Sequence, residues 1–273
     1  MRLRYFGILL ILGLLVFLGC REWTRRPDGR THVRFLDVGQ GDAILIESPE
    51  GKRVLIDGGP DWSVLERLGQ TLPFFDRRID MVINTHPDLD HSGGLPSVFN
   101  RYRTGLLVLP PAMEASFFFS SLLQTAQVKK IPIRRITAGE TIRIESGTTL
   151  SVLWPPENLP QTLLKNSNNH SLLLRLDSHG KRVLLTGDTE EPIERILTMA
   201  RADLRADILK IGHHGSRSSS GTGFLLAIHP SLAVISVGEN TFGHPRPEIM
   251  KRLEELGIPI RRTDREGTID INW

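Results

Sequence analysis

The sequence predicts an α+β fold: two mixed β-sheets packed face to face, with helices on the outside. Three observations carry this. Short β-rich segments and helical segments occur in two successive runs along the 273 residues, and such elements bury their apolar faces by stacking in layers. Turns rich in glycine and proline divide the segments. Clusters of polar, metal-competent side chains stand at the ends of the predicted strands, which is how a sheet scaffold gathers a site from distant parts of a chain. The length suits one large domain or two small ones, and a 40% apolar content allows a sizeable core.

Residues 1–20 stand outside this fold. Arg2 and Arg4 precede the apolar run Tyr5–Gly19, fifteen residues long. That is short for a membrane span and suited to a signal-peptide core. The run ends in Phe17-Leu18-Gly19-Cys20, and Cys20 is the single cysteine. A small residue followed by cysteine resembles a bacterial lipobox, although Phe17 sits where leucine is usual. Cleavage before a lipidated Cys20 would remove Arg2 and Arg4 and lower the formal charge from +3 to +1. The other reading is an uncleaved N-terminal anchor with an incidental cysteine. Both keep the positive residues inside, so the expectation is an exported protein held at the membrane, facing the periplasm or the cell exterior. Residues 21–31, with Arg21, Arg25, Arg26 and Arg30, read as a basic linker: a tether near the lipid surface, or a solvated segment with no lipid preference. A single cysteine excludes a disulfide framework and a thiolate metal site.

The folded domain is expected over residues 32–273. His32–Val38, Ala43–Glu47 and Lys52–Ile56 read as strands, and Asp57-Gly58-Gly59 closes the third. Ser63–Leu72 is helical and stopped by Pro73. Ile79–Ile83 is a strand that feeds a polar loop, Leu95–Arg103 a helix, Leu106–Leu109 a buried strand, and Met113–Val128 a helix with Phe117–Phe119 on its apolar face. A second run of strands follows: Ile131–Ile136, Thr141–Ile144, Thr149–Trp154, Ser171–Leu176 and Arg182–Thr186. Helices over Pro192–Met199, Thr222–Ile228 and Pro247–Leu256 alternate with strands over Asp207–Ile211, Leu232–Val237, Ile258–Arg262 and Thr268–Ile271.

The chemistry concentrates in the loop after Ile83. Within six residues it places His86, Asp88, Asp90 and His91, and Gly93-Gly94 follows. Imidazole and carboxylate are the usual ligands of catalytic divalent metals. Four ligands so close in sequence suit two ions better than one tetrahedral ion, and a two-metal site is a hydrolytic device. Three more clusters stand at strand ends: Asn168-Asn169-His170-Ser171, Thr186-Gly187-Asp188 and Gly212-His213-His214-Gly215-Ser216. Taken singly, Asp188 reads as a turn aspartate, His213-His214 as a surface loop, and His170 as a turn cap; their common placement raises them together.

The order His-x-Asp-x-Asp-His, Asn-Asn-x-Ser-Leu, Leu-Thr-Gly-Asp, His-His-Gly-Ser resembles the metallo-β-lactamase superfamily. More narrowly it resembles the extracytoplasmic hydrolase-like domain of the ComEC/Rec2 DNA-uptake (competence) proteins. Phe35–Asp42, Leu55–Gly59, Ile235–Gly238, Gly243-His244-Pro245 and Arg262-Thr263-Asp264 extend the likeness over residues 32–273. It implies an αββα sandwich with the site along one edge. It also implies two divalent metal ions, zinc or manganese. His86 and Asp88 would hold one, Asp90 and His91 the other; Asp188 would bridge them, His214 would complete the second, and His170 the first. Two departures stand out. Asp88 occupies a position where the superfamily usually has histidine, although this branch commonly has Asp; its harder oxygen donor shifts the first site towards manganese. The usual third-motif histidine has no unambiguous counterpart, which leaves open the place that the resemblance offers His170. The pore-forming domain of the DNA-uptake proteins is not expected in this chain.

Three functions follow, in order of preference. The first is a metal-dependent phosphodiesterase or nuclease acting on nucleic acid, DNA foremost. There Asp90 serves as a ligand and orients the attacking water, and His213, Ser216 and His244 contact phosphate or protonate the leaving group. Lys210 and Arg217, flanking His-His-Gly-Ser, and Arg246 would neutralise substrate phosphates. The second is a hydrolase of another ester or amide, such as a lactone or β-lactam, since fold does not fix function. The third is a non-catalytic binding module of the envelope. No protein partner is legible.

Overall fold

Two seven-stranded sheets make up the body of this computed structural model, which describes residues 2–111, 116–160, 163 and 166–273, with the side chains of residues 2–10 outside that description. In the first sheet the strand order is Ile269–Asn272, His32–Phe35, Ile44–Glu47, Arg53–Ile56, Met81–Ile83, Leu107–Leu109, Ile133–Arg135. Its pairings are antiparallel up to Arg53–Ile56 and parallel beyond. In the second the order is Ile260–Arg262, Leu232–Ile235, Ile208–Lys210, Lys181–Leu185, Leu173–Ser178, Thr148–Trp154, Thr141–Glu145. Here the first four strands are parallel and the rest antiparallel.

The two-residue period of a strand sorts its side chains between two layers. Phe35, Ile44, Ile46, Val54 and Ile56 meet Leu150, Leu174, Leu176 and Val183 of the second sheet in one buried core. Leu45, Leu55, Val82 and Leu107 turn the other way, onto the helices Ser63–Thr71, Leu95–Arg101 and Phe117–Val128. Leu184, Leu209, Ala233 and Ile235 do the same for Glu191–Met199, Thr222–Ile228 and Pro247–Glu255. The result is helix, sheet, sheet, helix, as expected.

Strand membership differs from the sequence reading in two places. The segment expected as Ile131–Ile136, the start of the second run, closes the far edge of the first sheet beside Leu107–Leu109. The terminal strand Ile269–Asn272 returns to the first sheet and pairs with His32–Phe35. The expected strand Ile79–Ile83 is divided at Asp80, whose carboxylate accepts from the Arg53 amide at 2.9 Å. The helix expected from Met113 is described from Phe117, Met113 itself lying outside the described residues.

At the N-terminus one helix runs Arg2–Trp23, with Ile11, Leu12, Leu14, Leu15, Val16 and Phe17 exposed and Cys20 a free, exposed thiol. Among the described residues no helix is long and apolar enough to cross a membrane. Residues 21–31 do not hang free as a tether would. The Arg25 guanidinium donates to the Gly69 carbonyl at 3.2 Å, Glu22 accepts from the Phe74 amide at 2.7 Å, and the Thr31 amide donates to the Trp273 carbonyl at 3.0 Å.

Candidate metal centre

Strand Met81–Ile83 delivers the His-x-Asp-x-Asp-His loop to the edge of the first sheet, and its second half, Leu89–Ser92, winds into a short helix. Two glycine-containing turns hold that helix by its backbone. The Asp42 amide donates to the Asp90 carbonyl at 3.1 Å and the Gly58 amide to the His91 carbonyl at 2.7 Å. A Cβ on Gly41, whose φ is +143°, would lie 2.3 Å from the Asp90 carbonyl oxygen. Only glycine allows so close an approach, which gives the Val-Gly-Gln-Gly-Asp segment its physical role.

Four imidazoles face the carboxylate of Asp188. The His91 Nε2 lies 3.2 Å and the His214 Nε2 3.6 Å from its Oδ1. The His213 Nε2 lies 3.8 Å and the His86 Nε2 3.9 Å from its Oδ2. Asp90 stands on the first side, 3.2 Å from the His214 Nε2 and 3.9 Å from that of His91. Asp88 stands on the other, 3.7 Å from the His86 Nε2. The carboxylate thus divides its oxygens between two groups of side chains. Asp90, His91, Asp188 and His214 offer ligand atoms all within 4.8 Å of one another.

The far side of each ring fixes its tautomer. The His91 Nδ1 lies 2.8 Å from the Asp57 carboxylate and the His214 Nδ1 2.9 Å from the Ser236 carbonyl; both partners only accept, so both Nδ1 atoms carry hydrogen. Thr85 spends its hydroxyl hydrogen on Asp57 at 2.7 Å, so at 3.0 Å it accepts from the His86 Nδ1. The His213 Nδ1 donates to Glu190 at 3.2 Å. In the neutral rings every Nε2 therefore presents a bare lone pair to the centre. Among the described residues, His86 Nε2, His91 Nε2, His214 Nε2 and Asp188 Oδ1 are buried without a hydrogen-bond partner. Leaving such atoms unsatisfied is costly, and aimed at a common space they fit divalent cations. Ligand histidines oriented through their other nitrogen are the usual form of such sites.

The charge balance agrees. Burial alone would lower His91, but Asp188, Asp57 and Asp90 outweigh it and hold the ring well above its ordinary value. His214 is raised against burial by Asp188, Asp90 and Asp42. Burial raises Asp188, yet His91, His214 and His86 bring it well below the usual carboxylate range. Burial and the neighbouring His91 lower His86. The carboxylates draw in positive charge, which a divalent ion supplies while the imidazoles stay neutral.

The remaining expected site residues divide. His244 joins the centre: its ring meets that of His213 at 5.5 Å. Burial, aided by His213, His214 and Arg246, lowers it to about 4, so at neutral pH it offers a neutral N–H rather than a full proton. Arg217 is exposed beside the loop. Ser216 is buried and shares a 3.0 Å hydrogen bond with Ser218, which donates to Glu190. Lys210 is a correction. It was expected at substrate phosphates, but its side chain is fully buried and pairs with Asp42 at 2.9 Å. His170 is buried in the turn Ser167–His170 and is not one of the four imidazoles facing Asp188; His213, expected to touch substrate, stands there instead. The sequence reading assigned no role to Asp57 or Asp42, nor to Thr85, Ser236 or Glu190; all but Asp42, which stands 3.6 Å from the His214 Nδ1, orient these rings. The signal for the first two was their place within glycine turns.

The family profile described as "Metallo-beta-lactamase superfamily" matches residues 36–239. ComE operon protein 3 of Bacillus subtilis (strain 168) is 30% identical over 259 residues, covering 88% of this chain and 33% of that protein. Recombination protein 2 of Haemophilus influenzae is 30% identical over 276 residues, covering 98% of this chain and 31% of that protein. The chain thus spans about a third of the length of these relatives. The metallo-β-lactamase fold protein YhfI of Bacillus subtilis superposes with a TM-score of 0.61 at 10% identity, over 89% of this chain and 100% of its own.

Proposed function

Because this chain belongs to the metallo-β-lactamase superfamily, we propose that it is a dimetal hydrolase of phosphodiester bonds, with nucleic acid, DNA foremost, as its substrate class. The observation that carries the reading is the division of Asp188 between two groups of imidazoles. His86, Asp88 and His213 would hold one ion, Asp90, His91 and His214 the other, and Asp188 both. When bound, such a pair polarises a phosphoryl oxygen and acidifies water enough to attack near neutral pH. The chain's own groups do the rest. Asp57, Thr85, Ser236 and Glu190 fix the ring orientations. Against the effect of burial, His91 and His214 hold Asp90, about one-third exposed, well below the usual carboxylate range, so it stays ionised and orients water by accepting a hydrogen bond from it. His244 donates its neutral N–H to the substrate. The substrate class rests on the likeness to the DNA-uptake domain and on Arg217 and Arg246 beside the loop.

The test is cleavage of labelled single- and double-stranded DNA by the full chain with manganese or zinc, beside Asp90→Ala, with lactones and β-lactams assayed in parallel. Wild-type DNA cleavage at least about a hundredfold faster than the variant is expected. Equal rates with metals bound, or turnover of the lactone or β-lactam alone, would overturn the nuclease reading. We also propose attachment at the outer face of the cell membrane through residues 1–20. Lipid labelling lost in Cys20→Ala would establish the lipoprotein form; an unlabelled, uncleaved wild type would establish the simple anchor.

A further inference from the structure

We propose that Phe242 is a stacking platform for a nucleobase of the substrate, an inference that rests on the phosphodiester reading above. Phe242 lies in the loop between strand Leu232–Ile235 and helix Pro247–Glu255. Its ring stacks on His244, with centroids 5.8 Å apart and planes 30° from parallel. His244 in turn meets His213 edge to face at 5.5 Å, and His213 faces Asp188. Two ring contacts therefore connect Phe242 to the centre.

The ring is exposed, at 61%, on a loop that is firmly held. The Asn240 amide donates to the Gly238 carbonyl at 2.8 Å and the His244 carbonyl at 2.9 Å, while its oxygen accepts from the His244 amide at 2.9 Å. The Arg246 amide donates to the Gly215 carbonyl at 2.9 Å, tying the loop to the His-His-Gly-Ser turn. A large apolar ring held in water gains nothing for the fold. One face is occupied by His244, and the ring remains open to an incoming planar group. Every base has such a face, and stacking on a fixed aromatic is how single strands are gripped without regard to sequence. Arg246, whose guanidinium lies against Gly243 in the same loop, is the cation this loop offers to a phosphate of a strand stacked on Phe242.

The experiment measures binding and cleavage separately, with a single-stranded oligothymidylate and an abasic oligomer of equal length and charge, for the full-length wild type, Phe242→Ala, Phe242→Leu and Phe242→Trp. Wild type should bind the abasic strand about tenfold more weakly. Phe242→Ala should bind oligothymidylate about tenfold more weakly and no longer distinguish the two strands, and Trp should restore the difference where Leu does not. Undiminished discrimination in Phe242→Ala, or restoration by Leu, would overturn the proposal. So would a wild type that binds both strands equally or neither. Discrimination through Phe242 without cleavage would retain the platform and remove the nuclease reading; cleavage without discrimination would do the reverse.

Discussion

Asp42 and Lys210 lie 168 positions apart in sequence and form an ion pair at 2.9 Å, with side chains 1% and 0% exposed. Asp42 also stands 3.6 Å from the His214 Nδ1, so the pair backs the metal centre from within the sandwich. Removing one member of a buried pair strands the other charge, at a cost of about 3–5 kcal/mol. Lys210→Met should lose stability on that scale in chemical denaturation. Adding Asp42→Asn should restore most of it. Loss of DNA affinity with unchanged stability would return Lys210 to the substrate-binding role.

Asp57 is the hub behind the first motif. It accepts from the His91 Nδ1 at 2.8 Å, from the Thr85 amide and hydroxyl at 2.7 Å each, and from the Asn84 amide at 3.1 Å. Asp57→Asn presents an N–H where a donor already points. Metal affinity, read by competition with a chromogenic chelator, should fall about 10–100-fold. Unchanged affinity would show that His91 needs no such partner.

His213 and His170 make opposite predictions. His213→Ala should lose close to one equivalent of tightly bound metal, whereas His170→Ala should keep two. Metal analysis after equilibrium dialysis reads both directly. Loss of an equivalent from His170→Ala alone would reinstate the ligand set that the sequence likeness implied.

Glu194 gives the protein a pH dependence away from the metal centre. Its carboxylate accepts from the Ser220 amide at 2.5 Å and the Gly221 amide at 2.8 Å, bracing the loop after His-His-Gly-Ser. Burial raises it from an ordinary 4.5 to about 7. Between those values the folded chain keeps a proton that the unfolded chain has lost. Stability from this group is therefore highest below pH 4.5 and declines as pH rises towards 7, by up to about 1.4 kcal/mol per pH unit. The wild-type minus Glu194→Gln difference in unfolding free energy should follow that decline from pH 5 to 7. A flat difference would exclude the titration.

The layers and the first motif were legible because their signals are local. Period-two alternation placed the strands to within a few residues, and His86–His91 shares one loop. What was not legible depended on distance or backbone direction. Lys210 lies in a strand buried along its whole length, and nothing near it announces a partner at Asp42. His213 reaches Asp188 because its backbone takes φ +47° and Glu190 holds the ring; the adjacent pair His213-His214 shows neither. Ile133–Arg135 has the same composition whichever sheet receives it, and the crossover helix Phe117–Val128, leading to parallel pairing with Leu107–Leu109, decides.

The strand Ile269–Asn272 beside His32–Phe35 has a last consequence. The Thr31 and Trp273 backbones exchange both hydrogen bonds, at 3.0 and 3.2 Å, so the domain's entry and exit points touch. A unit whose two ends meet at one sheet edge behaves as a cassette: it can be spliced into a longer polypeptide, or permuted by joining those ends, without redrawing its interior. The same geometry makes closure of that edge a contact spanning nearly the full domain. The strand His32–Phe35, second in that sheet, can gain its outer neighbour only after almost everything between them has been synthesised.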